Sequence, residues 1–322
     1  MTSETAASHE AAAAGAAAID DCLNRAGDLL KSDAVDEASH LLFQELASIR
    51  ASMEESLWRR CIIDARVHPT LALVHKSPFV RHCYLKPRGY PGDAVLIDFI
   101  YREPISEEYL YKNTDLSDAH NNPFINMRPA EAVRRRRKFF ADEIDALSDR
   151  SPGGSVLAIA CGHFQELALS RAQHNCGLSR IVGLDQDEKS LAFAQKHFAH
   201  VSNLEILCGS AFSLLALDND IGHFDLVYAA GLYDYLSQEI ARRITRSLFE
   251  MVKPGGALII PNFLSSTLGA GAMEALMDWW LIYRDEQQIR DFAAEIPIYE
   301  IASITYRNDL DEIGYLSIKK SM

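Results

Sequence analysis

Basic residues are scarce in this chain relative to acidic ones. Its 322 residues include 32 lysines and arginines against 45 aspartates and glutamates, which gives a formal net charge of −13. A protein that coats nucleic acid needs a basic surface, so we expect no nucleic-acid partner. No apolar run approaches the roughly 20 residues that a bilayer-spanning helix requires. We therefore expect no membrane span.

The sequence also lacks paired cysteines and metal-binding spacings. Its 11 histidines show no His-x-x-x-His pattern, so we expect no metal site. An alanine-rich N-terminus lacks the basic segment of a signal peptide. Free thiols and a cytoplasmic location are the expectation, because no Cys-x-x-Cys pair occurs among the six scattered cysteines, Cys22, Cys61, Cys83, Cys161, Cys176 and Cys208.

Three regions differ in composition and periodicity. We predict a frayed or disordered tail over 1–20, a helical cap or lid over 21–125, and an α/β domain over 126–322. Leucine spacing in the second region indicates two or three helices before residue 75. Glycines and prolines in the segment 86–93 indicate a defined loop. A further helix is predicted from about Pro129 to Leu147, with proline in its first turn.

From residue 155 onward, short apolar runs alternate with helical patterns. The predicted strands begin near Val156, Ile181, Leu204, Phe224 and Ala257. This alternation is typical of a parallel sheet with helices on both faces. Two strand-like runs, 301–306 and 315–320, end the chain and predict an antiparallel hairpin at the sheet edge. The expected fold is therefore α/β, a Rossmann-like doubly wound sheet of seven strands with an antiparallel last strand, plus an N-terminal helical region.

A ligand of such a sheet binds beyond the carboxyl ends of the strands. The first strand is followed by one glycine, where a dinucleotide-binding loop has three. Either a ligand loop or a tight strand-to-helix turn explains this segment. Asp185 ends the second strand and can accept hydrogen bonds from ribose hydroxyls or cap the next helix, a role that Asp187 serves equally well. The candidate binding residues after the first two strands are Ala160, Cys161, Gly162, His163, Glu166, Asp185 and Gln186.

Two further loops carry candidate residues. Ser210, Ala211 and Phe212 follow the third strand, where they are placed to line an adenine pocket. Ala230 and Gly231 follow the fourth strand and are followed by Tyr233, Asp234 and Tyr235. Small residues followed by polar aromatics fit a floor beneath a reacting group. Ordinary packing with the hydroxyl at the surface explains the tyrosines equally well.

Together these motifs resemble class I S-adenosylmethionine (SAM)-dependent methyltransferases over roughly residues 125–322. The resemblance is carried by the segments 156–162, 183–185, 224–227 and 252–256. It implies that the first loop holds the methionine part of SAM, that Asp185 binds the ribose and that the loop at 210–212 lines the adenine. Glu166 is a candidate for the SAM ammonium, or else a first-turn acid favoured by the helix dipole.

The sequence departs from this family at three places. The usual acidic residue of the first strand is Ala158, and the acidic residue common after the third strand is Ser210. The first and third glycines of the usual loop are Ala160 and Phe164. Fewer side-chain contacts to SAM are therefore expected.

A narrower resemblance extends into the N-terminal region. The segments 86–93, 132–134, 160–163, 230–236 and 280–284 look like a bacterial methyltransferase subgroup that includes enzymes making 3-hydroxypalmitic acid methyl ester. This likeness implies a small-molecule acceptor, including a fatty or other carboxylic acid methylated on oxygen. Carboxylate methylation needs no general base, whereas a phenol or amine acceptor usually does.

Several residues are candidates for handling the acceptor. We predict catalytic roles for Tyr233, Asp234 and Arg284, with Arg284 placed after a long helix and able to pair a carboxylate. The alternative for Arg284 is a surface ion pair with a neighbouring acid. The basic run 134–138 is interpreted as a solvated helix face. Candidate substrate-binding residues, for which domain joining or core packing is the alternative, are Arg88, Tyr90, Asp93, Trp280 and Tyr283.

The sequence therefore predicts a cytoplasmic SAM-dependent methyltransferase of small molecules that can form a homodimer. An alternative is a SAM-consuming cyclase or aminocarboxypropyl transferase that releases methylthioadenosine, for example by forming azetidine-2-carboxylate. The altered first loop motivates that alternative. A second alternative is a SAM-binding regulator or inactive subunit.

Overall fold

The structure, a computed structural model, describes residues 3–103, 123–174, 177–215 and 221–322. The chain divides into two compact units. A helical unit comprises the described residues up to Glu131 together with Leu268–Trp280, and a sheet unit comprises Ala132–Thr267 and Leu281–Met322. Thus a short segment late in the sequence groups with the N-terminal helices, although the sequence pattern indicates one continuous domain after residue 126. The role of the helical region as a lid stays a prediction.

The helical unit contains more helices than the leucine spacing indicates. Its helices are α1 (Ser3–Lys31), α2 (Val35–Ala51), α3 (Glu55–Ala65), α4 (Pro69–Val74), α5 (Pro78–Leu85), α6 (Ala94–Tyr101) and, within the late segment, Ala270–Met277. The alanine-rich start, for which the sequence predicts a frayed tail, lies within α1. Gly15 packs so closely that an added Cβ would lie 2.3 Å from Cε of Met53. This close contact and the burial of Ile19 and Cys22 hold the alanine-rich helix against its neighbours.

The sheet unit contains seven strands in the order β3-β2-β1-β4-β5-β7-β6. β7 runs antiparallel to both of its neighbours, β5 and β6, whereas the other adjacent strands are parallel. This arrangement confirms the predicted fold. The strands are β1 (Gly154–Ile159), β2 (Leu178–Asp185), β3 (Leu204–Cys208), β4 (Phe224–Tyr228), β5 (Val252–Phe263), β6 (Ile301–Asp309) and β7 (Ile313–Lys320). The late helix of the helical unit, Ala270–Met277, is numbered α11 in chain order. The remaining helices are α7 (Arg128–Arg150, which begins in the helical unit), α8 (Gln165–Leu169), α9 (Glu188–His197), α10 (Gln238–Glu250) and α12 (Glu286–Arg290).

Side chains of the central strands alternate between two hydrophobic cores. In β1, Val156 and Ala158 belong to the core that includes Phe140 of α7. Leu157 and Ile159 belong to the core that includes Ile244 of α10. Because successive residues of a strand point to opposite faces, both faces of the sheet are covered by helices. The carboxyl ends of β1, β2 and β4 consequently lie together at one edge of the sheet.

The aromatic segment after α11 is not helical. The sequence analysis places a long helix through Trp279–Tyr283, but α11 ends at Met277. Asp278 adopts a left-handed conformation, with φ of 49°, which ends the helix. Farther along, Arg284 pairs with Leu264 as an isolated parallel bridge. Among the described residues, no helix has the length and apolar character required to cross a membrane.

Candidate functional site

The loop after β1 keeps a glycine-type backbone with a single glycine. Ala160, Gly162 and Phe164 all have positive φ values, of 53°, 54° and 56°. These are the three positions that correspond to the loop glycines of class I methyltransferases, the family that the sequence resembles. Non-glycine residues pay roughly 1–2 kcal/mol to adopt the left-handed conformation. All three positions thus have the left-handed conformation that favours glycine, although two of them carry a side chain.

Packing explains the third of these positions. Phe164 is fully buried in the core beneath the loop. The facing residue on β2 is Gly183, at which an added Cβ would lie 3.0 Å from Cδ1 of Phe164 and 3.0 Å from Sγ of Cys161. Burial of an aromatic ring contributes enough free energy to offset the backbone strain. Cys161 is likewise buried, and burial raises the pKa of its thiol well above the usual value.

Replacement of Ala160 by glycine should relieve the strain at the first position. We expect Ala160→Gly to raise the free energy of unfolding by about 1 kcal/mol, because glycine adopts positive φ at little cost. Urea unfolding of the two proteins measures this difference. A lower stability in the variant would show that the methyl group of Ala160 contributes more than the conformation costs.

Asp185 closes the loop from the second strand. Its Oδ2 accepts a hydrogen bond from the backbone N–H of Gly162 at 2.8 Å, and its Oδ1 accepts one from the N–H of Asp187 at 2.9 Å. The side chain of Asp187 accepts from Lys189 N at 3.0 Å and thus caps α9, as predicted. Asp185 is buried, so its carboxylate ties the ends of β1 and β2 together. The neighbouring Gln186 is exposed.

The loop after β3 lies beside the end of β2. The backbone N–H of Gly209 donates to the carbonyl of Asp185 at 2.9 Å. Ser210 Oγ accepts from Phe212 N at 3.2 Å and so shapes the turn. Ala211 is buried, whereas the ring of Phe212 is half exposed. These positions leave an aromatic ring available at the edge where an adenine was predicted.

Glu166 is buried below the first loop. Its Oε1 accepts a hydrogen bond from the hydroxyl of Tyr228 at 2.8 Å. Burial raises the pKa of this carboxyl group, against the opposing effects of the Tyr228 hydrogen bond and of Arg137 and Arg136. The ring of His163 is buried and packs 4.1 Å from that of Phe193. One oxygen of Glu166 is thus bonded inside the fold, and its role toward the SAM ammonium stays a prediction.

Tyr233 and Arg284, two of the three predicted catalytic residues, are both buried, and their catalytic roles stay predictions. Tyr233 is fully buried, and its hydroxyl contacts Thr245 Oγ1 at 2.9 Å; burial raises the pKa of this phenol. Arg284 is also buried, so the surface ion pair that was the alternative for it does not form among the described residues. Its guanidinium donates to the carbonyl of Tyr233 at 2.9 Å, to Asn262 Oδ1 at 2.6 Å, to Gln238 Oε1 at 2.8 Å and to the carbonyl of Leu236.

Arg284 is therefore a clamp on the loop after β4. It stacks 4.9 Å from the ring of Phe292 and fixes the carbonyls on both sides of Asp234. Asp234 itself is fixed by two further hydrogen bonds. Its Oδ1 accepts from Phe263 N at 2.7 Å, and its carbonyl accepts from Ile282 N at 2.7 Å. Burial raises the pKa of Asp234, and Arg136 is the main opposing charge.

Arg136 and Arg137 were missed by the sequence analysis. The run 134–138 was interpreted as a solvated face, but these two arginines are 5% and 7% exposed. Arg137 Nε donates to the carbonyl of Gln165 at 3.0 Å, whereas Arg135 pairs with Asp309 outside the core. The helical periodicity of the apolar residues could have indicated this burial. Arg136 and Arg137 fall on the apolar stripe of α7 that includes Ala132, Val133, Phe140, Ala141 and Ile144.

The candidate substrate residues are divided between the two units. In the helical unit, Asp93 is buried; it accepts from Leu96 N at 2.9 Å and contacts Nε2 of His82 at 2.9 Å. Trp280 Nε1 donates to Asp278 at 2.9 Å beneath the guanidinium of Arg59. Arg88 and Tyr90 are half-buried in the same unit, and Tyr283 is half-buried in the sheet unit. Their roles toward a substrate stay predictions.

Part of this chain is similar to proteins of known family. A family model described as a methyltransferase domain matches residues 156–256, from β1 to the turn of β5. This segment is similar to methyltransferase domains. It includes the ends of β1, β2 and β4 and thus the loop after β1, Asp185 and Asp234.

Several solved structures are similar to this chain. A possible exported protein from Bordetella parapertussis is 18% identical, with a TM-score of 0.53 over 84% of this chain and all of that one. The N-methyltransferase NodS from Bradyrhizobium japonicum, solved with S-adenosyl-L-homocysteine (SAH), is 14% identical over 59% of this chain and 88% of that one, with a TM-score of 0.44. A magnesium protoporphyrin IX methyltransferase from Synechocystis with bound SAH is 19% identical over 61% and 88%, with a TM-score of 0.45.

Curated proteins and metal-ligand geometry add no further assignment. No curated protein matches this chain. In the part of the chain that the structure describes, no group of three histidine, cysteine, aspartate or glutamate residues is placed to hold a metal ion.

Proposed function

We propose that this protein transfers a methyl group from SAM to a small molecule, and that the acceptor is an oxygen of a carboxylic acid. The observation that carries the proposal is the geometry of the loop after β1. Three positive-φ residues follow β1, and Asp185 holds the central one through the N–H of Gly162. Such a loop brings backbone N–H groups close to a ligand at the carboxyl ends of the strands.

SAM, when bound, supplies an electrophilic methyl group. The residues of the chain therefore need only to bind and orient SAM and the acceptor and to exclude water from the site. We propose that Asp185 accepts from the ribose hydroxyls and that Phe212 lies against the adenine. A carboxylate acceptor fits this site because it requires no proton acceptor. Tyr233, for which the sequence predicts a catalytic role, is buried against Thr245. The cytoplasmic location and the homodimer stay predictions.

Mass spectrometry of the nucleoside product tests this function. The full-length protein is incubated with SAM alone and then with a panel of carboxylic acids. We expect SAH to form only when an acid is present, together with the methyl ester of that acid. Absence of any nucleoside product with every acid would contradict the proposed acceptor class.

A second candidate function consumes SAM without an acceptor and releases methylthioadenosine. Two buried carboxyl groups support this second function, because burial raises the pKa values of Glu166 and Asp234. A carboxylate of raised pKa is a stronger base and can accept a proton from an ammonium group, which an attacking amine must lose. The same assay separates the two functions: methylthioadenosine formed from SAM alone would establish the second.

A further inference from the structure

Arg136 is a buried cation for which the described residues of the sheet unit provide no hydrogen-bond or ion-pair partner. It is 5% exposed, and its Nε is fully buried with no hydrogen-bond partner. Over the described ranges of the chain, no carboxylate lies within 4.0 Å of its guanidinium, and it makes no hydrogen bond. The adjacent Arg137 differs, since its Nε donates to the carbonyl of Gln165. Arg136 is therefore buried without the contacts that normally compensate such burial.

This burial has a physical cost. Removing a charged group from water costs several kcal/mol unless an opposite charge or hydrogen bonds replace the hydration. Arg136 influences the pKa values of Asp234 and Glu166, so both acids are near enough to interact electrostatically with it. Neither forms an ion pair with it. Each acid instead has an internal partner, the backbone N–H of Phe263 for Asp234 and the Tyr228 hydroxyl for Glu166.

The guanidinium faces the loop after β4. A Cβ atom built on Gly231 would lie 3.7 Å from Nη2 of Arg136 and 4.0 Å from Nη1. The glycine therefore leaves open the space of a side chain directly against the two donor atoms. Gly231 lies in the segment that is similar to methyltransferase domains and follows the carboxyl end of β4, where ligands of this type of sheet bind.

We propose that Arg136 binds a carboxylate ligand at the end of β4. A guanidinium presents two parallel N–H groups that match the two oxygens of a carboxylate. Two molecules of the proposed function carry such a group, namely the methionine arm of SAM and an acceptor acid. The inference rests on the proposed function, and the test below distinguishes the two sources from each other and from failure of that function.

The test measures the affinity of full-length wild-type and Arg136→Gln proteins for three probes by titration calorimetry. SAH carries the methionine carboxylate, methylthioadenosine shares its nucleoside but lacks that carboxylate, and hexadecanoate represents the acid acceptor. Arg135→Gln is the matched control, because Arg135 neighbours Arg136 on α7 and pairs with Asp309. It is expected to bind all three probes as the wild type does.

If the methionine arm is the source, Arg136→Gln should bind SAH about 10- to 100-fold more weakly and methylthioadenosine equally well, since a hydrogen bond to a charged group contributes about 1.5–3 kcal/mol. If the acceptor is the source, hexadecanoate affinity alone should fall by that factor. Unchanged affinity for all three probes, or an equal loss for all three, would overturn the proposal. Failure of the wild type to bind both nucleosides would instead overturn the proposed function.

Thermal unfolding provides a second measurement that does not depend on any ligand. Because an unpaired buried charge destabilises the fold, Arg136→Gln should melt at the wild-type temperature or above it. A clear decrease in melting temperature would show that Arg136 has a structural partner and would contradict the proposal. Arg136→Lys, which keeps the charge but lacks the two parallel donors, should retain part of the carboxylate affinity.

Discussion

Replacement of Arg284 by alanine is expected to lower the free energy of unfolding by about 3–5 kcal/mol, because it leaves buried acceptors without a donor. The guanidinium donates to the carbonyls of Tyr233 and Leu236 and to the side chains of Asn262 and Gln238. Arg284→Lys should recover only part of this loss, since an ammonium cannot reach four acceptors with the geometry of a guanidinium. Urea unfolding of the full-length proteins measures the effect.

Arg290→Ala is the control for this experiment. Arg290 is exposed and pairs with Glu286 one helical turn away, and such pairs contribute about 0.3–0.5 kcal/mol. If Arg284→Ala were as stable as the wild type but inactive, the catalytic role that the sequence suggested would be restored. The structure predicts the opposite result, namely that activity is lost together with stability.

Asp185→Ala is expected to weaken SAH binding by about 100-fold or more. The proposed contact with the ribose hydroxyls comprises two hydrogen bonds to a charged group, and their loss, at about 1.5–3 kcal/mol each, corresponds to this factor. The carboxylate also holds the N–H groups of Gly162 and Asp187, so its removal loosens the loop as well. Calorimetric titration with SAH measures the affinity directly.

Asp187→Ser is the matched control for Asp185→Ala. Serine keeps an oxygen that can cap α9, so this variant should bind SAH as the wild type does. Circular dichroism shows whether the sheet unit remains folded in each variant. Asp185→Ala that is folded and binds SAH with wild-type affinity would contradict the assigned position of the ligand.

The fold was predictable because its signals are local. Each buried strand is a short apolar run, and the alternation with helices leaves a doubly wound sheet as the expected arrangement. Asp185 and Asp187 could also be separated from the sequence, because one ends a strand and the other begins a helix. The end of α11 was not predicted, since it depends on a left-handed Asp278 that neither glycine nor proline marks.

The site was less predictable because its charges are compensated by distant residues. Nothing near Arg284 in the sequence indicates that its partners are the carbonyls of Tyr233 and Leu236. The sequence therefore predicts either a carboxylate-binding role or a surface ion pair for this residue. The reverse error occurred at Arg136, where a run of basic residues concealed two buried positions. Ala160 and Phe164 stand where the family has glycines, which suggests an altered loop. Both residues nevertheless adopt the left-handed conformation that favours glycine.

Nuclear magnetic resonance with SAM labelled with ¹³C in its methyl group tests the central claim most directly. The full-length protein is incubated with labelled SAM and a carboxylic acid, and the resonance of the labelled carbon reports the atom to which it is bound. Methyl transfer predicts that the sulfonium methyl signal decays while a methyl ester signal grows, only when the acid is present. A label that moves into the thioether of methylthioadenosine, or that stays on SAM with every acid, would contradict the account.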